Sequence, residues 1–186
     1  MNQNLSPYKL EELFDVEFLK KNALEIHAFG LGFIQIKLSP HHRLHIYCPE
    51  VKITTTDEEV HDHRYSFLSH VLKGKLEHSS YALVEGETHL LTYESCKKDI
   101  KIETPLTLTG LKLLESFTLS QGSSYFLHKD TLHQVKAEHT VTFLIRETPS
   151  KDLARVIFKK EKQPTCPFSS DLDKELLWKI VERELK

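Results

Sequence analysis

Two histidines near the middle of the chain have the spacing of a metal-ligand pair. His61 and His63 are separated by one residue, and residues two apart in an extended strand point to the same face. Both imidazoles could therefore reach one metal ion. Because the chain contains 12 histidines among 186 residues, roughly one pair with this spacing is expected by chance. A catalytic site also needs a third ligand and an open coordination position.

The spacing around this pair resembles the first of the two sequence boxes of the cupin superfamily. That box reads His-x-His, three or four residues, usually Glu, then six residues and Gly. Here His61 and His63 are followed at those distances by Phe67 and Gly74. The second box is matched in spacing by residues 122–133, which begin with glycine and end with histidine.

This resemblance extends over roughly residues 30–150 and implies a small antiparallel β-barrel with a metal, commonly iron, bound inside. It implies that His61, His63 and His133 are the protein ligands of that metal. Because Phe67 stands where many cupins have the glutamate, the implied site consists of three histidines.

Among cupins, a three-histidine site without the glutamate is similar to that of the thiol dioxygenases, the cysteine dioxygenase group. His61-Asp62-His63 and His133-Gln134-Val135 correspond to that group's His-Asp-His and His-Arg-Val motifs. Arg146 stands at the position of the group's catalytic tyrosine, and Phe67 or Leu68 at that of the cysteine crosslinked to it. The resemblance implies oxygen chemistry on a small molecule, with thiols as one candidate class.

The chemistry of such a site follows from its neutral ligands. Three imidazoles leave a divalent iron up to three positions for substrate and O₂, and the undiminished dicationic charge favours an anionic thiolate, enolate or carboxylate. Iron(II) is the expected cofactor, although nickel, manganese and zinc also accept imidazole. The candidate functions are a dioxygenase acting on a small anionic molecule, an isomerase or lyase that uses the metal as a Lewis acid, and a non-catalytic small-ligand-binding cupin.

Three further residues are candidate catalytic groups. An anionic substrate favours an arginine opposite the metal, since a guanidinium pairs with a carboxylate at two points, and Arg43 and Arg146 are the candidates. Tyr65 shares the face of the histidine pair and could move a proton or simply fill the barrel. Arg43, His45 and Tyr47 share one strand face, which either is solvated or lines a ligand cavity. An Arg-x-His strand ahead of the metal box, with an arginine ending the strand after it, is also similar to a further group of cupins.

Most of the remaining histidines are expected to bind no metal. His70 has the opposite strand parity to the pair, which places it at the surface or behind the ligands, and His128 could line the site. Five more are expected on loops and strand surfaces: His41, His42, His78, His89 and His139.

The pattern along the chain predicts a mainly β fold. Residues 33–38 and 43–47 alternate between apolar and polar types, and many short strands separated by turn residues are typical of an antiparallel sandwich or barrel. We therefore expect a cupin-type jelly roll over about residues 24–160, within a single domain covering residues 1–186.

Helices are expected at both ends of the chain. Ser6 and Pro7 begin a predicted amphipathic helical arm over about residues 7–22, whose pattern Asp15 and Val16 could interrupt. A closing helix over about residues 170–185, capped by residues 169–171, has an apolar stripe that packs on the barrel or on a second subunit of a homodimer. The stripe consists of Leu172, Leu176, Ile180 and Val181.

The composition argues against several classes of partner. The formal net charge is −2, and no basic stripe interleaved with aromatic residues is present, so nucleic acid is not an expected partner. No run of about 18 apolar residues is present, so no membrane span is expected, and residues 1–7 lack the pattern of a signal peptide. Cys48, Cys96 and Cys166 are widely spaced, which predicts free thiols in a reducing cytoplasm.

Overall fold

The computed structural model describes residues 7–51, 60–94, 105–161, 168–169 and 172–186. In these parts of the chain, two antiparallel β-sheets form a jelly-roll-like sandwich with few helices, which confirms the predicted fold class. In chain order the strands are β1 Glu25–Phe29, β2 Phe33–Lys37, β3 His42–Tyr47, β4 Val60–His61, β5 Phe67–Lys73, β6 Lys75–Glu94, β7 Thr107–Ser120, β8 Ser124–Leu127, β9 Leu132–Ala137, β10 Thr140–Arg146, β11 Ala154–Lys159 and β12 Phe168–Ser169.

The strands are divided unequally between the two sheets. The larger sheet has the order β12-β1-β2-β3-β10-β5-β8, and the smaller has the order β11-β4-β9-β6-β7. The long strand β6 pairs with β9 through its first half and with β11 through its second half. The short strand β4 is thereby held between β11 and β9, in the middle of the smaller sheet.

The two faces of the larger sheet differ because apolar and polar residues alternate along β2 and β3. Ile34, Ile36, Leu44 and Ile46 have no exposed surface and belong to a core cluster that includes residues of the helices. The residues between them, such as His45, line a cavity between the sheets. The helices therefore cover one face of this sheet, and the other face lines the cavity.

The N-terminal helical arm consists of two short helices, and the break between them includes Asp15, one of the two positions at which the sequence pattern could be interrupted. Helix α1 comprises Leu10–Leu13 and α2 comprises Val16–Asn22. Between them, Asp15 has an extended backbone, and its carboxylate accepts hydrogen bonds from two backbone N–H groups of α2. An aspartate that caps a new helix in this way competes with continuation of the preceding one.

The C-terminal helix α3 comprises Lys174–Leu185 and begins later than predicted. Its cap is Asp173, whose carboxylate accepts a hydrogen bond from a backbone N–H group in the first turn; of the predicted cap, Ser170 and Asp171 lie outside the described residues. Leu176 is 44% exposed, contrary to the predicted stripe. The helix packs into the core cluster of the larger sheet through Leu177, Ile180, Val181 and Leu185. Among the described helices, none is long and apolar enough to span a membrane.

The glycines of the two boxes both occupy turns with positive φ. Gly74, with φ of 80°, joins β5 to β6, and a Cβ atom there would lie 2.6 Å from Thr140 Oγ1. Gly122, with φ of 86°, lies between β7 and β8. Glycine adopts these conformations at little cost, so these positions fix where the neighbouring strands end and begin.

Candidate metal centre

Three histidines from two paired strands converge inside the sandwich. His61 ends β4 and lies directly opposite His133 of β9, and His63 follows two residues after His61. Their ligand nitrogen atoms all lie within 4.8 Å of one another, and the ring centres of each pair are 4.9 Å apart. The structure thus brings together the three histidines that the sequence singled out, as a cluster that could hold a metal ion.

The geometry and protonation of this cluster fit a metal ion. His63 Nε2 and His133 Nε2 are 2.8 Å apart, close to the separation of about 3.0 Å expected for two imidazole nitrogens bound at right angles to one metal at about 2.1 Å. Burial, reinforced by the proximity of His61, lowers the pKa of both His63 and His133 well below its usual value. Both rings are therefore neutral, which is the form that binds metals.

A fourth histidine supports the cluster from behind. His78 on β6 is buried, and its Nε2 lies 3.2 Å from His133 Nδ1. Its ring stacks on Phe117, with ring centres 5.0 Å apart and planes 23° from parallel. If His133 donates its Nδ1 proton to His78, its Nε2 keeps the lone pair that a metal requires.

The prediction that His78 lies on a strand surface is therefore wrong, and the sequence contained a signal against it. Lys75 and Glu77 alternate with Leu76 and His78 along β6, and the two charged residues are exposed while the other two are buried. Because successive strand residues point to opposite faces, this alternation already places His78 on the inner face.

Asp62, between His61 and His63, is anchored by contacts with Arg155 and Lys151. Its side chain has no exposed surface. One carboxylate oxygen accepts a hydrogen bond from the Arg155 backbone N–H at 2.7 Å, and the other accepts bonds from Arg155 Nε at 2.7 Å and Lys151 Nζ at 2.8 Å. These contacts attach the His-x-His segment to β11 and so determine where both imidazoles lie.

Arg43 and Tyr65 form a hydrogen-bonded pair next to the histidine cluster. Arg43 Nη1 donates to Tyr65 Oη at 2.9 Å, and the ring centre of Tyr65 is 5.8 Å from that of His63. Arg43 Nε is buried without a hydrogen-bond partner, and no described carboxylate forms an ion pair with this guanidinium. Within the described parts of the chain, this partly buried guanidinium therefore has no ion-pair partner.

Arg146 joins this group through Tyr65. Its guanidinium carbon lies 4.6 Å from the centre of the Tyr65 ring, and its Nε donates to the backbone carbonyl of Pro40 at 2.6 Å. Burial, followed by the charge of Arg43, lowers the pKa of Arg146. Arg146 is not among the residues that line the cavity, whereas Arg43 and Tyr65 are.

The structure separates the other candidates by burial. Phe67, at the glutamate position of the first box, packs edge-on against His63 with ring centres 5.0 Å apart. His45 lines the cavity, and the Gln35 side-chain amide donates to its Nε2 at 2.9 Å. His70 is buried and bonded to the Ser124 hydroxyl rather than exposed. The side chain of His128 is 58% exposed and does not line the cavity.

The cluster opens into a cavity of about 890 Å³ between the two sheets. The three histidines, Arg43 and Tyr65 all contribute to its wall. The strand face of Arg43, His45 and Tyr47, for which solvation and a cavity were equal alternatives, therefore lines the cavity. Its volume lies within the range of about 300–1,000 Å³ that is usual for small-molecule sites.

Comparison with known proteins identifies no family for this chain. No protein-family model matches it, and the search of curated proteins found no significant similarity. The interpretation of the site therefore depends on its own residues.

Proposed function

We propose that this chain is a metal-binding cupin in which His61, His63 and His133 hold iron(II), and that it is a dioxygenase-like enzyme acting on a small anionic molecule. The observation that carries the proposal is the convergence of three imidazoles on one point in the wall of a ligand-sized cavity. When bound, the metal would supply vacant positions for substrate and O₂ and a dicationic charge that attracts an anion.

The residues around the cluster have separate roles in this proposal. Arg43, which has donors to spare and no described counter-ion, binds and orients the anionic group of the substrate. Tyr65 accepts the Arg43 hydrogen bond at Oη, so its own proton is available towards the cavity. Phe67 covers one side of His63 with an apolar ring and excludes water there.

The Arg43–Tyr65 pair also supports a second candidate function without oxygen. A phenol fixed near a Lewis-acidic site can give or take a proton at a carbon next to a carbonyl. The same cavity would then act as an isomerase or lyase on the same class of anion.

Metal analysis of anaerobically purified protein tests the proposal. We expect about one metal ion per chain, lost in His133→Ala and kept in His128→Ala, which changes an exposed histidine five residues away. Protein that retains none of iron, nickel, manganese or zinc, and takes up none of them on reconstitution, would contradict the proposal.

Oxygen consumption then separates the candidate functions. The iron-loaded protein is offered a panel of small thiols and carboxylates in an oxygen electrode and, in parallel, under argon. Uptake of O₂ with product formation supports the dioxygenase, whereas turnover under argon selects the isomerase or lyase. Binding without turnover under either condition leaves a metal-containing binding protein.

A further inference from the structure

The part of the cavity wall that the larger sheet contributes changes in chemistry along the strands. Strands β1, β2 and β3 are neighbours, and each places every second residue on the cavity. Residues that pair across these strands form rows perpendicular to them. The first row is charged and consists of Glu25, Lys37 and Arg43. Arg43 donates to Tyr65, whose ring centre lies 5.8 Å from that of His63.

The second row consists of His27, Gln35 and His45, of which Gln35 and His45 are buried. The Gln35 amide and His45 Nε2 bind each other at 2.9 Å. The His45 ring stacks on that of Phe33, with ring centres 4.6 Å apart. A ligand that crosses this row meets a ring face and a paired amide rather than a free charge.

The third row is aromatic and consists of Phe29, Phe33 and Tyr47. The rings of Phe29 and Phe33 are stacked, with centres 4.7 Å apart and planes 8° from parallel, and Phe33 lies 5.4 Å from Tyr47. Leu31, in the turn between β1 and β2, also lines this end of the cavity. At about 3.3 Å per residue, the four-residue step from Arg43 to Tyr47 separates the charged and aromatic rows by about 13 Å.

We propose that the ligand of this cavity is an amphipathic carboxylate, with its anionic head at Arg43 and an apolar tail against Phe29, Phe33 and Tyr47. The position of the head rests on the proposed function, and the tail site is additional to it. A cavity of about 890 Å³ belongs to the upper part of the range for small-molecule sites. It has room for a tail that a substrate of amino-acid size would leave unfilled.

A series of straight-chain carboxylates tests the proposal. Binding of butanoate, hexanoate and octanoate to the full chain is measured by calorimetry, with and without added iron(II). Each methylene group that becomes buried is expected to raise the affinity about four-fold, or roughly 200-fold from butanoate to octanoate. Phe33→Ser should remove at least ten-fold of that gain, measured as the ratio of the octanoate affinity to the butanoate affinity.

Two further variants keep the test independent of folding. Leu31→Asp changes a half-buried turn residue and places a negative charge beside the tail, so it should also weaken octanoate binding selectively. Phe126→Ser, at a residue on β8 that is 59% exposed and outside the cavity wall, should bind the whole series as the unmodified chain does.

The outcomes distinguish this proposal from the proposed function. Equal affinities for butanoate and octanoate would overturn the tail site. So would a gain in affinity from butanoate to octanoate that neither Phe33→Ser nor Leu31→Asp reduces. Neither result would count against the metal centre. Octanol binding as tightly as octanoate would overturn the anionic head. If the protein takes up no metal but still binds octanoate more tightly than butanoate, the result supports the tail site and counts only against the metal centre.

Discussion

His78 Nε2 lies 3.2 Å from His133 Nδ1, so one buried imidazole holds another whose second nitrogen faces the candidate metal position. Hydrogen bonds of this kind fix the orientation and tautomer of a metal-binding histidine. In the proposed metal site, His78 would therefore be a positioning residue that acts through His133.

Replacing His78 by Phe should weaken metal binding without removing it. The phenyl ring keeps the stacking on Phe117 but cannot accept the His133 proton, and loss of such a partner typically costs 10- to 100-fold in metal affinity. Competition with a chelator of known affinity measures the effect. His70→Phe, which removes a buried histidine bonded to Ser124 instead, is the control. If His78→Phe and His70→Phe have the same metal affinity in this competition, the proposed role of His78 is contradicted.

Asp62 should be needed for stability as well as for the position of the ligands. Asp62→Asn removes a fully buried carboxylate that two cations contact. Breaking a buried ion pair from one side costs about 3–5 kcal/mol, and because Lys151 and Arg155 retain some contact with water, we expect about 3 kcal/mol in the free energy of unfolding. Denaturant titration measures this value.

Asp130 provides the matched control for Asp62. Its carboxylate contacts the same Lys151 Nζ at 3.0 Å, but its side chain is 52% exposed. Exposed ion pairs contribute little, so Asp130→Asn should cost less than about 1 kcal/mol. Similar losses in the two variants would mean that burial of Asp62 has no special importance.

These comparisons also indicate what could be predicted from the sequence. The spacing of His61 and His63 is visible within three residues of the chain, and the glycines with positive φ belong to the same short boxes. The contact of Arg146 with Tyr65 depends instead on β10 pairing with β5, with Arg146 opposite Phe67. Such a register between distant strands is not encoded in spacing along one segment.

Two other features have equally specific causes. The apolar spacing leaves open whether the N-terminal helix is interrupted at Asp15, and the bonds that its carboxylate accepts from two backbone N–H groups of α2 decide the question. The prediction of a surface position for His78 is wrong because it ignores strand parity. The alternation of Lys75 and Glu77 with Leu76 favours an inner position for His78.

His45 should make the fold sensitive to acid. Burial, reinforced by the charge of Arg43, lowers the pKa of His45 from about 6.5 to about 3. A histidine with a lowered pKa in the folded state contributes stability that is present above pH 6.5 and is lost as the pH falls, because the unfolded chain takes up the proton first. At pH 5 the expected loss from this residue is about 2 kcal/mol.

The contribution of His45 can be isolated by substitution. His45→Gln removes the titrating group. Between pH 7.5 and pH 5, the free energy of unfolding of this variant should therefore decrease by about 2 kcal/mol less than that of the unmodified chain. His128→Gln, at an exposed histidine, should leave the pH dependence unchanged. An identical pH dependence in His45→Gln would show that this imidazole is not kept neutral by the fold.

Arg43 and Arg146 should differ in their effect on ligand binding, although both guanidinium groups lie within 6 Å of the Tyr65 ring centre, at 5.4 and 4.6 Å. Only Arg43 lines the cavity, so Arg43→Lys exchanges the two-point donor that would bind the anion for a single point charge. Loss of one charge-assisted hydrogen bond, about 1.5–3 kcal/mol, should lower the affinity for butanoate at least ten-fold.

Arg146→Lys should act on the position of Tyr65 instead. The lysine cannot keep both the bond from Nε to the Pro40 carbonyl and the contact with the Tyr65 ring, so we expect a lower melting temperature with less than about a three-fold change in butanoate affinity. Calorimetric titration and thermal unfolding of both variants measure the two effects separately. If Arg146→Lys weakens binding as much as Arg43→Lys does, both arginines contact the anion and the cavity wall extends further than the geometry indicates.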